Sequence, residues 1–578
     1  MKSHYLIAGL IATASSMAYA EVTMERLLAA GSEEEAGNWL MIGKTFDLNR
    51  FSPLDQINSG NVENLRLVMA APIGGMEPAG FGIGSMQTTP LADNGFIYLS
   101  DPWGTPYKFD LTSETAARPV WICDTGIDKD PSQGILLANR GLALSGTNVI
   151  TVLPDGRAVA CDSDTGDIVW ESQVTTEVGE GFTNSPQVVG DKIIVGQSYG
   201  DWATRGWIAA LDANSGEEIW RFYTIPEPGE PGSETWLCEE TGNPDCWKTG
   251  GGAAWVAGSY DPESNLVFWG TGNPVPMYDP EYRPGDNLYT NSTVALDADT
   301  GELAWYFQYT PGDYMDYDEV GPALLVEANI NGEDRKVMAR FARNGIFYTL
   351  DRNSGRYINS VTYVGNLNWT EGIDSKTGLP IEYDPEADLQ TYAIGRITRA
   401  GDTATTCPNI QGGTNFFPTA YNPELGLAYA GGIEGCSDLS VREVDPDDVL
   451  PGNIFIGGAG VNSGEQTGSI NAVNVSTNTV EATLNTPYAM YGGVMASADL
   501  LWAGHLDGTF AAYDASTLEE LWSMNVGTSF SAAPITFLVN GTQYVAITGG
   551  GLGVGGGLAP ELSNMQAANM LWVFALDG

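Results

Sequence analysis

The sequence predicts an all-β protein folded as an eight-bladed β-propeller, and two observations carry this prediction. A short motif recurs along the chain, and each copy has the composition of two strands joined by a tight turn. The motif, small–x–Asp–x–x–(Thr/Ser)–Gly–x–x–x–Trp, is complete at residues 160–170, 210–220 and 295–305. Five weaker copies bring the total to eight and begin at Phe109, Thr349, Ala472, Ala512 and Ala575.

Each copy of the motif predicts the outer half of a small antiparallel sheet. The Asp can bond the backbone of its own turn, and the Gly can adopt a positive φ. Upstream of most copies another short apolar run opens on Gly, as at residues 95–98 and 190–195. About seventy residues per unit exceeds the roughly 40 to 50 of a minimal blade, so we expect the loops at 227–252 and 366–413 to cover one face and shape a pocket. A β-solenoid is the alternative, but it needs stricter periodicity and capping ends.

The composition excludes several classes of function. Acidic residues number 73 and basic residues 25, and the net charge of −48 would repel nucleic acid. The two histidines, His4 and His505, cannot form a multi-histidine metal site, and no Cys–x–x–Cys–His run is present for covalent haem. Catalysis must therefore depend on carboxylates or on a cofactor, and we expect His505 to be a structural residue of a hairpin.

The first twenty residues predict export. Lys2 precedes an apolar run at 5–12, and Ala18, Tyr19 and Ala20 form a small–x–small cleavage site, which together are typical of a signal peptide at 1–20. An uncleaved anchor is the alternative, but the apolar run is shorter than the ~20 residues that a span needs. No other segment is long and apolar enough to cross a bilayer, so we expect residues 21–578 to form a single propeller domain in the periplasm.

An exported chain can keep disulfide bonds. Local loops favour Cys238 with Cys246 and Cys407 with Cys436, and free buried thiols are the alternative. The remaining two cysteines are Cys123 and Cys161. A Gly-rich run at 551–556 matches the GxGxxG pattern of dinucleotide sites, but no helix follows it and we interpret it as a turn at the central mouth of the propeller.

Several stretches outside the repeat resemble the pyrroloquinoline quinone (PQQ) dependent alcohol dehydrogenases, the quinoprotein family. The resemblance covers essentially the whole mature chain and includes residues 50–58, 139–141, 270–273, 284–287 and 343–345. The repeat resembles the blade-docking motif of that family, in which tryptophans interlock adjacent sheets. By itself the repeat is weak evidence for catalysis, because non-enzymatic propellers share it.

The resemblance implies a catalytic base and a metal site. Asp316 takes the position of the general base, and Asp318 takes the additional acidic position of lanthanide-dependent members. A trivalent hard cation gains more from an extra anionic oxygen than a divalent one, which favours a lanthanide over calcium. The alternative is that Asp318 is an ordinary solvated loop residue and binds no metal. Asn273 resembles an amide ligand, or else an Asx-turn residue, and Asp201 stands where the family normally has Glu, so its reach toward the ion is shorter.

The resemblance also implies a cradle for the cofactor. Trp255 resembles the indole floor under the planar quinone, and Arg140 and Arg343 resemble the guanidinium groups that bind its carboxylates and its reactive carbonyl. A core aromatic and surface ion pairs are the alternatives. Further polar contacts are implied for Gln87, which stands where relatives often have Glu, and for Thr183, Ser198 and Asn415, although such residues are also common in ordinary strands and turns.

Departures from the methanol-oxidising relatives concern the other face of the cofactor. Those relatives have two adjacent cysteines where this chain has Gly134 and Ile135, so we expect Ile135 and Leu136 to cover that face. Met315 and Tyr491 stand where a Trp is usual. These changes indicate a roomier or differently shaped substrate pocket, and methanol is not assumed to be the substrate.

The resulting expectation is a periplasmic oxidoreductase. It would oxidise an alcohol to an aldehyde or ketone by hydride transfer to PQQ that is bound to one hard metal ion, a lanthanide or alternatively calcium, with Asp316 as general base. Because the chain has no haem motif, electrons would pass to a separate c-type cytochrome, and a homodimer is an allowed assembly. The alternative is a non-catalytic propeller that serves as a protein-binding scaffold in the cell envelope.

Overall fold

The computed structural model describes residues 21–130 and 135–577. The predicted signal peptide at 1–20 and the predicted departure at Gly134 lie outside the described residues. Within these ranges the chain forms eight separate β-sheets, numbered here in chain order. No helix in the described part of the chain combines the length and the apolar character that crossing a membrane requires.

Sheets 1 to 4 follow one another along the chain, and each consists of four antiparallel strands in sequence order. Their strands are, in sheet 1, Leu91–Asp93, Phe96–Ser100, Pro106–Asp110 and Trp121–Ile122; in sheet 2, Ala143–Ser145, Asn148–Val152, Arg157–Asp162 and Ile168–Gln173; in sheet 3, Gln187–Val189, Lys192–Gly196, Trp207–Asp212 and Glu218–Tyr223; and in sheet 4, Ser259–Asp261, Leu266–Gly270, Ser292–Asp297 and Leu303–Gln308.

Sheets 5 to 8 complete the series, and sheets 7 and 8 each include a strand from the beginning of the described chain. Their strands are, in sheet 5, Leu324–Ile330, Glu333–Phe341, Ile346–Asp351 and Tyr357–Thr362; in sheet 6, Ala404–Thr406, Ala420–Asn422, Leu427–Val441, Gly458–Asn474 and Thr479–Thr486; in sheet 7, Phe51–Ser52, Val494–Ser497, Leu500–Gly504, Thr509–Asp514 and Glu520–Asn525; and in sheet 8, Leu65–Pro72, Ile535–Val539, Thr542–Gly549 and Met570–Leu576.

Helical structure in these ranges is confined to short segments. There is one α-helix, Met24–Leu28, in the described chain. The 3₁₀ turns are Val62–Asn64, Gly200–Trp202, Ser233–Thr235, Cys238–Thr241, Cys246–Thr249, Pro280–Tyr282, Pro446–Asp448, Gly553–Gly557 and Pro560–Leu562.

Sheet 8 joins the beginning of the chain to its end. The strand Leu65–Pro72 pairs antiparallel with the last strand, Met570–Leu576, with Leu65 opposite Leu576 and Pro72 opposite Met570. The parallel pairing of Phe51–Ser52 with sheet 7 adds a second link of this kind. Such pairing protects the edge strand of the final sheet from solvent, which is how propellers close. The all-β propeller prediction is confirmed in its architecture.

The recurring motif docks each of sheets 1 to 4 onto the next sheet, as the family resemblance implies. The indole N–H groups donate to carbonyl oxygens in the turn of the following sheet, in the pairs Trp121 to Ser163 at 3.0 Å, Trp170 to Ala213 at 3.2 Å, Trp220 to Ala298 at 3.1 Å and Trp305 to Arg352 at 3.1 Å. In the second of these turns Gly216 has a φ of +73°, and a Cβ there would lie 2.6 Å from the ring of Trp170. The glycine is therefore needed both for the turn and for the indole of the preceding sheet.

Disulfide bonds join the cysteines in three pairs within the described chain. Cys238–Cys246 and Cys407–Cys436 are confirmed as predicted, and Cys123–Cys161 links sheet 1 to sheet 2. His505 is structural, as expected, since its Nε2 lies 2.6 Å from the hydroxyl of Tyr513 within sheet 7.

Candidate active site

A cavity of about 200 Å³ contains every site residue predicted from the sequence. The side chains come from segments beside all eight sheets, which places the cavity where the sheets converge. The predicted residues that line it are Gln87, Arg140, Thr183, Ser198, Asp201, Trp255, Asn273, Asp316, Asp318, Arg343 and Asn415.

A tight turn presents Asp316 to the cavity. The buried carboxylate of Asp313 accepts the backbone N–H groups of Met315 and Tyr317, each at 3.0 Å. These two hydrogen bonds hold Asp316 at a φ of +67°, a backbone conformation that few non-glycine residues adopt. Strain of this kind is common at functional sites, where the surrounding structure over-determines it. The side chain of Tyr317 anchors the turn, because its hydroxyl donates to the carbonyl oxygen of Pro408 at 2.7 Å.

Arg343 connects the two acidic residues of this turn. Its guanidinium pairs directly with the Asp318 carboxylate through Nη1, and its Nη2 lies 3.6 Å from Oδ2 of Asp316. The same Nη2 donates to the carbonyl oxygen of Ile410 at 2.7 Å. The backbone N–H of Arg343 donates to Oε2 of the fully buried Glu319 at 3.2 Å. Arg343 is therefore held in place both at its guanidinium and at its backbone.

A second set of contacts joins Asp318 to the neighbouring polar residues. Oδ1 of Asp318 accepts the indole N–H of Trp255 and the backbone N–H of Asn273, both at 3.1 Å. The side-chain amide of Asn273 donates to Oδ1 of Asp201 at 3.3 Å. Hydrogen bonds thus connect Asp318, Asn273 and Asp201, and Asp316 lies beside the guanidinium that pairs with Asp318.

The carboxylates repel one another in a poorly solvated environment. Burial raises the pKa of Asp316 well above its ordinary value, and the charges of Asp318 and Asp201 add to this effect while Arg343 opposes it. Burial and the charge of Asp318 raise the pKa of Asp201 to about 7. A bound cation would remove both causes of destabilisation, so the charges of this site fit a metal ion.

The donor set consists of carboxylate and amide oxygens, which are the ligands that a hard cation prefers. In the described chain, however, no three acidic, histidine or cysteine side chains are already gathered around one point as metal ligands. The Arg343 guanidinium occupies the place beside Asp318. The positive charge of Arg343 thus offsets part of the negative charge of this site.

Arg140 forms the other charged part of the cavity. Its Nη1 donates to Oγ1 of Thr183 at 2.6 Å and to the carbonyl oxygen of Trp255 at 3.2 Å. The guanidinium carbon lies 4.6 Å from the ring centroid of Trp255 and 4.7 Å from that of Phe416. Burial lowers the pKa of Arg140 to about 9, and its Nε has no hydrogen-bond partner. A buried guanidinium with an unused donor fits an anionic planar ligand such as the carboxylates of PQQ.

The remaining predicted contacts also line the cavity, and one of them has an atom without a hydrogen-bond partner. Gln87 donates to Oγ of Ser85 at 2.8 Å, and its buried Oε1 has no partner. Oγ of Ser198 lies 3.0 Å from Oγ1 of Thr183. Asn415 donates to the carbonyl oxygen of Gln411 at 2.8 Å. These polar groups therefore border the space that a flat cofactor would fill.

Of the two residues expected to cover the second face of the cofactor, one lines the cavity and the other does not. Leu136 lines the cavity, together with Leu137. Ile135 instead packs against a separate cluster that contains Trp103 and Ala79.

Sequence reasoning missed several residues of the cavity wall, among them Gln411, Tyr199 and Phe416. Gln411 accepts the hydroxyl of Tyr491 at 2.8 Å through its Oε1, and Tyr199 and Phe416 also line the cavity. A usable signal existed for Gln411 and Phe416, because they flank the predicted contact Asn415 in one loop. Tyr199 directly follows the predicted Ser198, but in an extended strand pattern its side chain would have faced the opposite way.

The comparisons with known proteins agree with this geometry. Residues 39–364 match the PQQ family described as glucose/ethanol/alcohol dehydrogenase, β-propeller domain. The chain is 32% identical to the quinoprotein alcohol dehydrogenase PedH of Pseudomonas putida, over 91% of this chain and 89% of that protein. It is 33% identical to methanol dehydrogenase (cytochrome c) subunit 1 of Methylorubrum extorquens, over 98% of this chain and 94% of that protein.

A solved structure gives the same result for the fold. A europium-containing methanol dehydrogenase matches with a TM-score of 0.83 at 27% sequence identity, covering 96% of this chain and 100% of that one. The family match spans more than half of the chain, and the relatives are similar over nearly their whole lengths. The chain therefore belongs to the family of PQQ-dependent alcohol dehydrogenases.

Proposed function

We propose that this enzyme oxidises an alcohol to an aldehyde or ketone in the periplasm, using PQQ and one hard metal ion, with Asp316 as the general base. The observation that carries the proposal is the convergence of Asp316, Asp318, Arg343 and Asn273 with the indole of Trp255 in one cavity. A protein-binding scaffold would have no need of buried charges at this place.

PQQ, when bound, supplies an electrophilic carbonyl that accepts hydride, and the metal ion polarises that carbonyl as a Lewis acid. Arg140, with Thr183 and Ser198 beside it, would hold the cofactor carboxylates, and Trp255 offers a flat surface for stacking. Arg343 would place its N–H donors where negative charge develops.

Asp316 would remove the hydroxyl proton of the alcohol. Its carboxylate lines the cavity beside the other predicted polar residues, so it could accept a proton from a hydroxyl group bound there. Its position in a tight turn fixes the carboxylate while the substrate binds. Asp316 therefore combines access to the cavity with a fixed position.

Asp201, Asn273, Asp316 and Asp318 would hold the metal ion. We favour a lanthanide over calcium, because Asp318 adds one negative charge directly to the site. The similarity to a europium-containing methanol dehydrogenase supports this choice. Calcium remains the alternative, and the two ions can be told apart by titration.

The wider assignments follow from the relatives and the sequence. We propose that the eight sheets of the described chain are the blades of an eight-bladed propeller, preceded by a cleaved signal peptide. The relative from Methylorubrum extorquens is named for cytochrome c, and the net charge of −48 would steer a basic patch on such an acceptor. The comparisons give no support to a homodimer.

The test is an alcohol oxidation assay with a dye as electron acceptor. The purified protein is supplied with PQQ and with either Ca²⁺ or La³⁺, and turnover is expected to depend on both additions. Asp316→Asn should lower kcat by about 10² to 10⁴-fold, whereas the exposed Asp388→Asn should not. Absence of turnover with every ion would favour the scaffold alternative, and full activity of Asp316→Asn would overturn the assignment of the base.

A further inference from the structure

A buried carboxylate beside the cavity has no part in the chemistry proposed above. Glu319 directly follows Asp318, yet its side chain is fully buried and does not line the cavity. Its backbone N–H donates to the carbonyl oxygen of Thr271 at 3.0 Å, which ties this end of the acidic turn to the chain that leaves sheet 4. A buried charge is costly unless strong partners compensate it, so the partners of this carboxylate indicate what it does.

The carboxylate of Glu319 accepts two consecutive backbone N–H groups. Oε2 accepts the N–H of Arg343 at 3.2 Å, and Oε1 accepts the N–H of Asn344 at 3.3 Å. Both donors are the central residues of a tight turn in sheet 5, in which the N–H of Gly345 donates to the carbonyl oxygen of Ala342 at 3.1 Å. The hydrogen bond of such a turn joins its first and last residues and uses neither central N–H, so Glu319 supplies the acceptors that these two groups need.

Two successive residues of the acidic turn therefore hold the same arginine. Asp318 pairs with the guanidinium of Arg343, and Glu319 accepts the N–H of its backbone. Both ends of the Arg343 side chain are thus fixed relative to one short segment of the chain. A functional side chain has to be held within about 0.5 Å of its productive position, and hydrogen bonds from residues outside the site commonly provide this support.

Arg340 balances the negative charge of Glu319. Its Nη2 lies 3.4 Å from Oε2 of Glu319, and neither side chain has any solvent exposure. Nη1 of Arg340 donates to Oγ1 of Thr293 in sheet 4 at 3.0 Å, and its guanidinium carbon lies 5.1 Å from the ring centroid of Tyr309. The ion pair compensates the buried charge, whereas the two backbone contacts of Glu319 lead to the turn of Arg343. These two roles can be separated by experiment.

We infer, resting on the proposed function, that Glu319 is a positioning residue for Arg343. It does not line the cavity, and it acts by fixing the turn that carries the arginine. Without these two hydrogen bonds, the donors of Arg343 are no longer held where negative charge develops during the reaction. The loss should therefore lower kcat and leave the binding of the alcohol and of PQQ nearly unchanged.

The experiment replaces both partners of the buried ion pair. Glu319→Ala alone leaves the guanidinium of Arg340 without its counter-charge and endangers folding, so it is combined with Arg340→Met. In the PQQ- and metal-loaded double variant we expect kcat to fall by about 10 to 100-fold. The KM for ethanol, and the Kd for PQQ from quenching of tryptophan fluorescence, should change by no more than about twofold. A wild-type kcat in this variant would overturn the inference.

A conservative variant and a matched ion pair separate positioning from stability. Glu319→Gln with Arg340→Met keeps one acceptor oxygen and should recover part of kcat. Asp261 in sheet 4 and Arg352 beside sheet 5 form the control pair, with charged atoms 3.3 Å apart and Oδ1 of Asp261 accepting the backbone N–H of Glu263 at 3.1 Å. Asp261→Ala with Arg352→Met should leave kcat unchanged. An equal loss of kcat in this control would mean that the effect is global and that Glu319 has no special role.

Hydrogen exchange tests the same contact without turnover. The amide hydrogens of Arg343 and Asn344 should exchange at least about tenfold faster in the Glu319→Ala, Arg340→Met protein than in the wild type, and at the wild-type rate in the control. Mass spectrometry of peptides that cover residues 342–345 measures these rates, and equal rates in all three proteins would contradict the inference. If the wild type oxidises no alcohol, the proposed function is wrong, and the exchange rates alone decide whether Glu319 holds Arg343.

Discussion

Arg343 and Asp318 form a direct ion pair in the wall of the cavity, with side-chain exposures of only 6% and 9%. A buried carboxylate needs such a partner, because an unpaired charge in this environment is costly. The pair also means that any cation binding to Asp318 must compete with a guanidinium already in place. Asp318 therefore links the positive charge of Arg343 to the choice of metal.

Replacing Asp318 should change metal selectivity. We expect Asp318→Ala to lower the apparent affinity for La³⁺ at least tenfold and the affinity for Ca²⁺ less, because a trivalent ion gains more from each anionic ligand. Metal titration of the PQQ-loaded protein, followed by activity and by tryptophan fluorescence, measures both affinities. Asp388→Ala, at an exposed position, is the control. Equal losses for the two ions would show that Asp318 does not select between them.

The glycine of the docking turn can be tested against a glycine of similar conformation. Gly216 and Gly190 have φ values of +73° and +63°, but only Gly216 meets a neighbour, the indole of Trp170. We expect Gly190→Ala to cost about 1 kcal/mol of unfolding free energy, which is the strain of the positive φ. Gly216→Ala should cost a further 1 to 3 kcal/mol, roughly, because the ring must move. Urea unfolding of both variants gives the difference, and equal losses would show that the indole contact is not tight.

The disulfide Cys407–Cys436 should matter for catalysis as well as for stability. It anchors the loop whose carbonyl oxygens at Pro408 and Ile410 accept hydrogen bonds from Tyr317 and Arg343. Replacing both cysteines with serine should therefore lower kcat in addition to costing about 2 to 5 kcal/mol of stability.

The disulfide Cys123–Cys161 is the matched control for that experiment. It joins cysteines that are 38 residues apart, compared with 29 residues for Cys407–Cys436. The losses of stability on removing the two disulfides should therefore be similar. Cys123–Cys161 links sheets 1 and 2, whereas the acidic turn lies between sheets 4 and 5, so removal of this disulfide should leave kcat unchanged at temperatures where the protein is folded. A similar decrease of kcat in both double variants would mean that the effect is global.

Local patterns were sufficient to predict much of this protein. The Asp–Gly–Trp turns are determined by neighbouring residues, so the strands around Asp212 and Asp297 could be located from the sequence. The site residues were found through the resemblance, and the cavity brings all of them together.

What the sequence left open depends on contacts between distant segments. The pairing of Leu65–Pro72 with Met570–Leu576 carries no local signal, because either strand could pair with many others. The pairing of Cys123 with Cys161 depends on the adjacency of two sheets. The ion pair of Arg343 with Asp318 could not be inferred either, since it depends on the packing of two loops in three dimensions.

Asp101 should make the stability of the protein depend on pH. Its side chain is fully buried, with Oδ1 accepting the backbone N–H groups of Trp103 at 2.9 Å and Thr105 at 3.0 Å, and Lys129 Nζ lies 3.8 Å from Oδ2. Burial raises the pKa of Asp101 from 3.8 to about 6, and Lys129 opposes this only in part.

The direction in which stability changes with pH follows from proton binding. Between pH 3.8 and about 6 the folded state binds more protons at Asp101 than the unfolded state does, so stability decreases as the pH rises through this window. The loss attributable to Asp101 is up to about 3 kcal/mol. Asp101→Asn keeps a side-chain oxygen for the two backbone N–H groups but cannot ionise, so we expect its unfolding free energy to fall less between pH 4 and pH 6.5. Urea unfolding at several pH values, with the exposed Asp388→Asn as control, gives the slopes, and an Asp101→Asn slope equal to that of the wild type would show that Asp101 is not the source.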